Sequence, residues 1–468
     1  MWVSLSACGS LFLLASTNKI TQDIAPIPFL WVIPLALYLI TFIICFDSPR
    51  WYKRYIWIPL FIVTIPALIY GLSNGKLWGI VDLILVFSLG MFSLCMVCHG
   101  ELTRLKPKPE NLTTFYLLVS LGGVIGGLFV SFFSPRFFNG LWEYHVGIIL
   151  ALILVGISLL IANKRMKPVY LVIASIFWFS GTVTAGVYLN NDITKNGKRA
   201  IEVKRNFYGV IRVVDRYPGT KKHYRKMLHG NIKHGLEFRR KKLRNYPTSY
   251  YSRKSGIGLA LKRHPLKLNG QGIKVGILGL GVGTLAYYSD EKDHYRFYEI
   301  NKIVTYMAQK HFTFMKSAKG KTEILMGDGR ITMEKELKKS GSLNYDVMAI
   351  DAFSGDAVPM HLLTKEAFEL YFRHLKKDGI LAIHISNRYL RLENVVYGIA
   401  AELNKKIMYI KTRKNRKRRI AKSRWILITD NNEFRNNRKV TKYLTKRPKT
   451  LKKVLWTDDF SNLARVLK

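Results

Sequence analysis

Acidic residues and cysteines are scarce in this sequence. Its 468 residues include 30 Asp and Glu against 74 Lys and Arg, and none of the four cysteines follows Cys98. Few cysteines exclude a disulfide-stapled secreted domain, and 49% hydrophobic residues exclude an intrinsically disordered chain. Cys95 and Cys98 have the spacing of a metal or redox motif, but no matching Cys/His pair follows, so we interpret them as small apolar residues of a helix.

The charge is unevenly distributed along the chain. Residues 1–190 carry 12 basic and 6 acidic side chains, whereas residues 191–468 carry 62 and 24, a net charge of +38. A chain of this length is expected to fold into two to three domains. We therefore predict a transmembrane helical domain over residues 1–190, followed by a strongly basic soluble region. This distribution argues against a wholly soluble enzyme.

Long apolar runs define the predicted membrane domain. About 20 helical residues cross a bilayer, and Trp and Tyr near the ends of a run are typical of the membrane interface. We expect six or seven helices, at Ile27–Phe46, Tyr55–Leu72, Leu77–Cys98, Thr113–Ser134, Val146–Ala162 and Val169–Leu189, with Met1–Asn18 as the seventh.

Polar residues and glycines within these runs suggest further features. Asp82 lies inside the third run, where a charge is costly, and a transport path is one interpretation of it. His99 and Glu101 follow that run and are expected at the membrane interface. The glycine pairs in Gly122–Gly127 predict close packing of helices rather than a ligand site.

Beyond residue 190 the pattern changes to short strands that alternate with helices. Strands are expected at Phe207–Val214, Ile273–Gly279, Tyr295–Ile300, Thr322–Met326, Tyr345–Asp351 and Ile380–Ser386, with a helix at Lys365–Leu375. This order is typical of a mostly parallel, doubly wound sheet, which binds ligands at the carboxyl ends of its strands. We expect a small β-rich region over residues 191–270 and a Rossmann-like domain over residues 271–468.

Four successive strand ends carry residues that suit a nucleoside. They are the turn with Gly279, Gly281 and Gly283, then Glu299, then Asp328 and Gly329, and finally Asp351 with Asp356 close behind. Glycines let a ligand lie against the backbone, and an acid at the second strand end binds both ribose hydroxyls. The pattern fits an adenosyl ligand without phosphates. A nicotinamide dehydrogenase fits less well, because nothing obvious serves a pyrophosphate.

At these residues the chain resembles the bacterial membrane-fused spermidine synthase-like proteins, in which a major-facilitator-like helical half precedes an aminopropyltransferase-like domain. The matching stretches are Asp23–Tyr38, His99–Leu102, Phe115–Tyr116 with the glycine pairs, Gly279–Ala286, Phe297–Ile300, Asp351–Pro359 and His384–Tyr389. The resemblance implies a Rossmann-like class I methyltransferase/spermidine synthase fold and a role in polyamine biosynthesis. It also implies decarboxylated S-adenosylmethionine, or S-adenosylmethionine itself, as co-substrate, and no metal.

The resemblance further implies a role for each candidate residue. Gly279, Gly281 and Gly283 would line the nucleoside, Glu299 would hold the ribose, Asp328 and Gly329 would reach the adenine, and Tyr250 and Tyr251 are the remaining match to the acceptor segment. Asp351 corresponds in position to the acid that, in spermidine synthases, takes a proton from the attacking amine. Asp356 is a second catalytic candidate. The acid is needed because a protonated amine cannot attack.

Departures from the family leave the reaction open. Val282 stands where spermidine synthases carry an acid that contacts the aminopropyl amine. Few carboxylates are available for a diamine, and a net charge of +38 would repel one. The leading hypothesis is aminopropyl transfer to a small-molecule amine. The alternatives are an S-adenosylmethionine-dependent methyltransferase, and a transporter or sensor with a non-catalytic adenosyl-binding domain.

Basic runs suggest a further partner. Lys411–Arg424 holds nine basic residues in 14 and lies between the expected strands Ile407–Lys411 and Trp425–Thr429, so we interpret it as a hairpin loop outside the core. Anionic lipid head groups are one expected partner, and an ordinary solvated surface is the other interpretation. Nucleic acid is not favoured, because no recognition module is present. Self-association into a homo-oligomer is left open.

The topology in the bacterial inner membrane has two conflicting indications. The loops at 47–54, 99–112 and 163–168 carry three basic residues each, whereas the alternate loops carry one each. The positive-inside rule places the first set in the cytoplasm and the soluble region outside. An adenosyl co-substrate requires the soluble region to face the cytoplasm, which is the placement that we expect.

Overall fold

The chain forms two compact units, residues 1–210 and residues 211–468. A computed structural model describes residues 1–24, 30–74, 77–162, 167–198, 200–230, 232–352, 359–387, 390–446 and 451–468. The candidate Asp356 and part of the predicted first span, Ile27–Phe46, lie outside the described residues.

The first unit is helical. Its elements are α1 (Trp2–Asn18), α2 (Val32–Asp47), α3 (Arg54–Asn74), α4 (Ile80–Arg104), α5 (Leu112–Leu128), α6 (Ser134–Phe137), α7 (Glu143–Ala162) and α8 (Pro168–Lys198), with a short strand β1 (Glu202–Asn206) near its end. Each predicted apolar run overlaps one of the longer helices. Two short π-helical segments occur in this unit: Lys19–Ile24 follows α1, and Phe129–Phe133 lies between α5 and α6.

Five helical segments within the described residues are long and apolar enough to cross a membrane. They are Arg54–Asn74, Ile80–Arg104, Pro109–Phe137, Glu143–Ala162 and Pro168–Thr194. Helix α2 is apolar but has 16 residues, and α1 has 17. The total of six or seven spans therefore stays a prediction.

Small residues bring α1 and α5 into backbone contact. A Cβ atom added to Gly122 would lie 2.4 Å from the carbonyl oxygen of Val3, and one added to Gly126 would lie 2.3 Å from that of Ala7. The hydroxyl of Ser6 donates a 2.6 Å hydrogen bond to the carbonyl of Val119 across the same contact. The glycines thus serve helix packing, as the small-residue pattern predicts.

Glu101 lies in the last turn of α4, which continues to Arg104, and is completely buried in the protein. Its expected position at the membrane interface stays a prediction. The Glu101 carboxylate accepts hydrogen bonds from Tyr52 at 2.7 Å, from Arg54 at 2.8 and 2.5 Å, and from Ser158. A buried charge requires such partners. His99 is buried as well, and its Nδ1 lies 3.1 Å from the hydroxyl of Thr41.

Asp82 does not lie deep in a helix. Helix α4 begins at Ile80, so the exposed Asp82 stands in its first turn. Its carboxylate accepts a 3.1 Å hydrogen bond from the backbone N–H of Gly79. An acid in this position stabilises the helix N-terminus, and this role accounts for Asp82 without a transport path.

The second unit opens with an antiparallel meander and continues as an α/β domain. The strands are β2 (Gly209–Arg216), β3 (Tyr224–His229), β4 (Ile232–Phe238), β5 (Lys274–Leu278), β6 (His294–Glu299), β7 (Lys321–Met326), β8 (Tyr345–Ile350), β9 (Leu375–His384), β10 (Ile407–Thr412) and β11 (Ser423–Ile428). The helices are α9 (Gly256–Arg263), α10 (Pro265–Leu268), α11 (Lys302–His311), α12 (Gly329–Ser340), α13 (Lys365–His374), α14 (Leu392–Glu402), α15 (Asn432–Asn436) and α16 (Arg438–Thr441).

Strands β5 to β11 form one seven-stranded sheet in the order β7-β6-β5-β8-β9-β11-β10. The first five strands in this order are parallel, whereas β11 runs antiparallel to both β9 and β10. The predicted parallel, doubly wound sheet is thus present. Its order reverses at β5, so the carboxyl ends of β5 and β8 flank the switch point at which such sheets bind ligands.

Each face of this sheet carries its own core. Helix α9 and the meander cover one face, where Ile277, Ala349 and Trp425 are buried. Helices α13 and α14 cover the other face, where Tyr345, Ile383 and Ile426 are buried. Strands buried on both faces are typical of parallel sheets.

Exchanging Gly126 for Ala tests the α1–α5 contact. The added Cβ would meet the backbone of α1, so we expect Gly126→Ala to destabilise the unit by about 1–3 kcal/mol, as overpacking does. Gly123 is the matched control: nothing lies within 4 Å of its added Cβ. Gly123→Ala should leave stability unchanged or raise it by up to about 1 kcal/mol, because Ala favours helix. Thermal unfolding of the detergent-solubilised chain measures both, and equal shifts would contradict the contact.

Candidate active site

The turn after β5 is built on three glycines with positive φ. The values are +96° at Gly279, +55° at Gly281 and +79° at Gly283. A Cβ atom on Gly279 would lie 2.5 Å from the carbonyl oxygen of Asp351, and one on Gly281 would lie 2.8 Å from that of His234. The turn therefore lies against neighbouring backbone on two sides, which only glycine permits here.

Glu299, at the end of β6, holds this turn in place. Its Oε2 accepts a 3.0 Å hydrogen bond from the backbone N–H of Leu280, and its Oε1 accepts one of 2.8 Å from that of Asn301. Burial raises the pKa of Glu299, and the backbone donors oppose this shift. The carboxylate thus links the ends of β5 and β6.

Asp328 stands at the end of β7, where it caps α12. Its Oδ1 accepts a 3.0 Å hydrogen bond from the N–H of Ile331, and its Oδ2 lies 2.9 Å from Nε2 of His361. The hydrogen bond from His361 lowers the pKa of Asp328. Gly329 follows as the first residue of α12, and a Cβ there would lie 2.9 Å from Cγ of Leu278. The cap therefore lies close to the end of β5.

Asp351, directly after β8, pairs with a histidine. Its Oδ1 lies 2.6 Å from Nδ1 of His384 at the end of β9, and the two side chains are 6% and 4% exposed. Because a carboxylate only accepts, Nδ1–H of His384 is the donor. Such a pair holds the Asp351 carboxylate in one orientation, with both side chains almost entirely shielded from solvent.

Aromatic rings surround this pair. The ring of His384 stacks on that of Trp425 with centroids 4.6 Å apart and planes at 17°, and it lies 5.0 Å from the ring of Tyr250. Tyr251 is also buried, and burial together with the Asp351 carboxylate raises the pKa of its phenol. The structure thus brings the two tyrosines named from the sequence to the same place as Asp351.

His384 and Trp425 were not expected as site residues. From the sequence, His384 is only the first residue of the matching stretch His384–Tyr389. The available signal was its position: His384 ends the strand that neighbours β8, whose end carries Asp351. Trp425 lies opposite His384 in the register of β11, and the antiparallel placement of β11 between β9 and β10 could not be read from local sequence.

Val282 is buried, at 1% exposure. A Cβ added to Gly235 in β4 would lie 2.4 Å from Cγ2 of Val282, so the valine packs beneath the meander. Position 282 therefore belongs to the core in this chain.

The basic hairpin contacts the site segment rather than standing free. Most side chains between β10 and β11 are exposed, as expected for a loop outside the core. Its backbone nevertheless pairs with Ser249: the N–H of Ser249 donates to the carbonyl of Arg419 at 3.0 Å, and the N–H of Ala421 donates to that of Ser249 at 2.9 Å. The hairpin is thereby fastened next to Tyr250.

Within the described residues, no group of three or more His, Cys, Asp and Glu side chains could hold a metal ion.

Comparison with known proteins gives low-identity homology to one enzyme class. No protein-family model matches the chain. A stretch of 108 residues is 31% identical to a polyamine aminopropyltransferase of Vibrio vulnificus (strain CMCP6), covering 22% of this chain and 35% of that protein. The chain thus matches about a third of the length of this curated relative.

Solved structures with some likeness include a spermidine synthase from Thermotoga maritima, with a TM-score of 0.38 and 16% identity over 55% of this chain and 81% of that one. Human methyltransferase-like protein 13 in complex with SAH gives a TM-score of 0.30 and 18% identity over 37% of this chain and 78% of that one. The strand order described above, with its reversal at β5, is that of a Rossmann-like, doubly wound sheet.

Replacing Glu299 tests its hold on the glycine turn. Glu299→Ala leaves two backbone N–H groups without their carboxylate, and hydrogen bonds to charged groups contribute about 1.5–3 kcal/mol each. We expect a loss of about 3 kcal/mol in the free energy of unfolding, measured by urea denaturation. Glu299→Gln keeps an acceptor oxygen and should lose about half as much. An unchanged midpoint for Glu299→Ala would contradict this role.

Proposed function

We propose that the second unit transfers an aminopropyl group from decarboxylated S-adenosylmethionine to an amine acceptor. The observation that carries the proposal is the buried Asp351–His384 pair at the switch point of the sheet, beside the glycine turn. The low-identity homology to a polyamine aminopropyltransferase supports it.

The residues around the switch point suit a nucleoside. The glycine turn leaves its surface free of side chains, as a ligand that lies against backbone requires. In the proposal, Glu299 takes the ribose hydroxyls with the lone pairs that its backbone donors leave, and Asp328 and Gly329 border the adenine. These roles come from position and from the chemistry of each group.

The transfer step needs a base and no redox chemistry. The acceptor amine arrives protonated, and Asp351 takes one proton so that the nitrogen lone pair is free. The lone pair attacks the methylene carbon next to the sulfonium, a C–N bond forms and the C–S bond breaks. The sulfur keeps the bonding electrons, and the neutral thioether nucleoside leaves. His384 orients the Asp351 carboxylate through its 2.6 Å hydrogen bond.

Methyl transfer from S-adenosylmethionine is the second candidate, and Val282 is the observation that favours it. An acid at this position would contact the aminopropyl amine of the decarboxylated form, whereas the buried valine offers no such contact. A transporter or sensor with a non-catalytic second unit stays the third hypothesis.

The first unit serves, in this proposal, as a multi-pass anchor in the bacterial inner membrane, with the second unit in the cytoplasm. Five helices of sufficient length and hydropathy support an anchor. Anionic lipid head groups are the proposed partners of the basic surface outside the site.

Asp351→Asn tests the base. The amide cannot accept the proton but keeps the size of the side chain, so we expect turnover to fall 10²–10⁴-fold, the range for general-base catalysis, while nucleoside binding stays unchanged. Release of the thioether nucleoside measures turnover, and calorimetry measures binding. Asp378→Asn, an exposed acid on β9, is the matched control.

Calorimetry also separates the candidate reactions. Tighter binding of decarboxylated S-adenosylmethionine supports aminopropyl transfer, and tighter binding of the parent compound supports methyl transfer. Binding of neither compound, or full activity of Asp351→Asn, contradicts the proposal.

A reporter fused after Lys468 tests the topology. If the second unit is cytoplasmic, a fluorescent reporter that matures only in the cytoplasm should give a signal at this position. Alkaline phosphatase fused at the same position should be inactive. The opposite pair of results would place the second unit outside, as the loop charges indicate.

A further inference from the structure

A lysine lies beside the proposed acceptor side of the site. Lys233, on β4, has its Nζ 5.7 Å from the ring centroid of Tyr250, and the phenol of Tyr250 donates a 3.4 Å hydrogen bond to the carbonyl of Lys233. Tyr250 in turn lies 5.0 Å, ring to ring, from His384, the partner of Asp351. A continuous line of contacts therefore joins the lysine to the proposed base.

The basic hairpin contributes positive charge on this side, since the charges of Arg419 and Lys414 both act on Lys233. The guanidinium of Arg419 lies 4.3 Å from the ring centroid of Tyr224 and 5.8 Å from that of Tyr217. The backbone of Arg419 is fastened to Ser249. Lys414 stands in the same hairpin. We call Lys233, Lys414 and Arg419 the cation cluster.

The positive charges of the cation cluster repel one another. Burial, together with the charges of Arg419 and Lys414, lowers the pKa of Lys233. Among the ion pairs of the described residues, none joins a carboxylate to Lys233, Lys414 or Arg419. An anion bound there would relieve the repulsion, whereas a second ammonium group would increase it.

We propose that the acceptor is an amine whose far end carries a carboxylate or a phosphate, with its nitrogen at Asp351 and its anionic end at Lys233. The inference rests on the proposed function and deepens it. A diamine would place its second ammonium beside three cations, whereas an ω-amino acid or a phosphoethanolamine group meets charges of opposite sign at both ends.

The chemistry of the transfer is unaffected by the anionic end. Asp351 takes a proton from the ammonium, the nitrogen forms the new C–N bond, and the C–S bond breaks. The product is a secondary amine that keeps its carboxylate or phosphate. The cation cluster thus selects the acceptor without contacting the reacting atoms.

Binding and transfer are measured separately on the detergent-solubilised full chain. Equilibrium dialysis with radiolabelled 4-aminobutanoate, O-phosphoethanolamine and 1,4-diaminobutane, in the presence of the thioether nucleoside, gives three dissociation constants. We expect one of the two anionic amines to bind at least 10-fold more tightly than the diamine. Vesicles with or without phosphatidylethanolamine, offered in a transfer assay, show whether the phosphate source is a lipid or a free molecule.

Lys233→Met should remove the preference, since it deletes the charge and keeps the length of the side chain. Lys222→Met, which removes one charge from an exposed turn, is the matched control and should keep the preference. Lys414→Met, in an exposed position, should weaken anion binding about 3-fold and serves if Lys233→Met does not fold.

The outcomes separate the two proposals. If the anionic amine binds tightly and Lys233→Met abolishes this binding, the proposed acceptor class is supported. If no thioether nucleoside is released in the same experiments, that second result counts only against aminopropyl transfer. Tighter binding of the diamine, or equal effects of Lys233→Met and Lys222→Met, overturns the acceptor class while leaving the transfer to be judged by its own assay.

Discussion

The turn after β5 and the segment after β8 lie backbone against backbone, and the position of each candidate residue depends on this approach. The N–H of Asp351 donates to the carbonyl of Leu278 at 3.0 Å, and the N–H of Gly279 donates to that of Tyr298 at 2.9 Å. The pairing of the strands thus continues into the turn. Glu299 holds the turn from the β6 side, so backbone hydrogen bonds and the Glu299 carboxylate connect the glycine turn to the segment that carries Asp351.

Local sequence was sufficient for the parallel strands and for the residues at their ends. Short apolar runs gave the parallel strands to within a few residues, and because parallel strands end at one edge, the glycine turn, Glu299, Asp328 and Asp351 were expected together. Long-range contacts were not accessible. The Asp351–His384 hydrogen bond joins residues 33 positions apart. The pairing of the hairpin with Ser249 depends on the placement of β11, which no periodicity reveals.

The helical unit shows a related limit. Hydropathy located the helices but not the partners of their buried acids, because average hydropathy carries no information on contacts between distant residues. Glu101, for example, is buried and paired with Arg54. Glu143, likewise buried, accepts hydrogen bonds from Arg205 at 2.7 and 2.8 Å, and Asp192 lies 3.3 Å from His145. Each partner lies 47 or more positions away, so the pairs became visible only in three dimensions.

The excess of basic residues has a specific structural consequence beside Tyr250. Most of the net charge is spread over exposed surface, where water screens it. Beside Tyr250 the hairpin is fastened by backbone hydrogen bonds, and Arg419 is stacked on two tyrosines, so its charge is held in a fixed position. The charge of Arg419 acts on the partly buried Lys233, and two cations that repel each other lower the stability of the fold unless an anion compensates them. In a site that otherwise needs its acid for proton transfer, the simplest compensation is a negative charge on the molecule that the site receives.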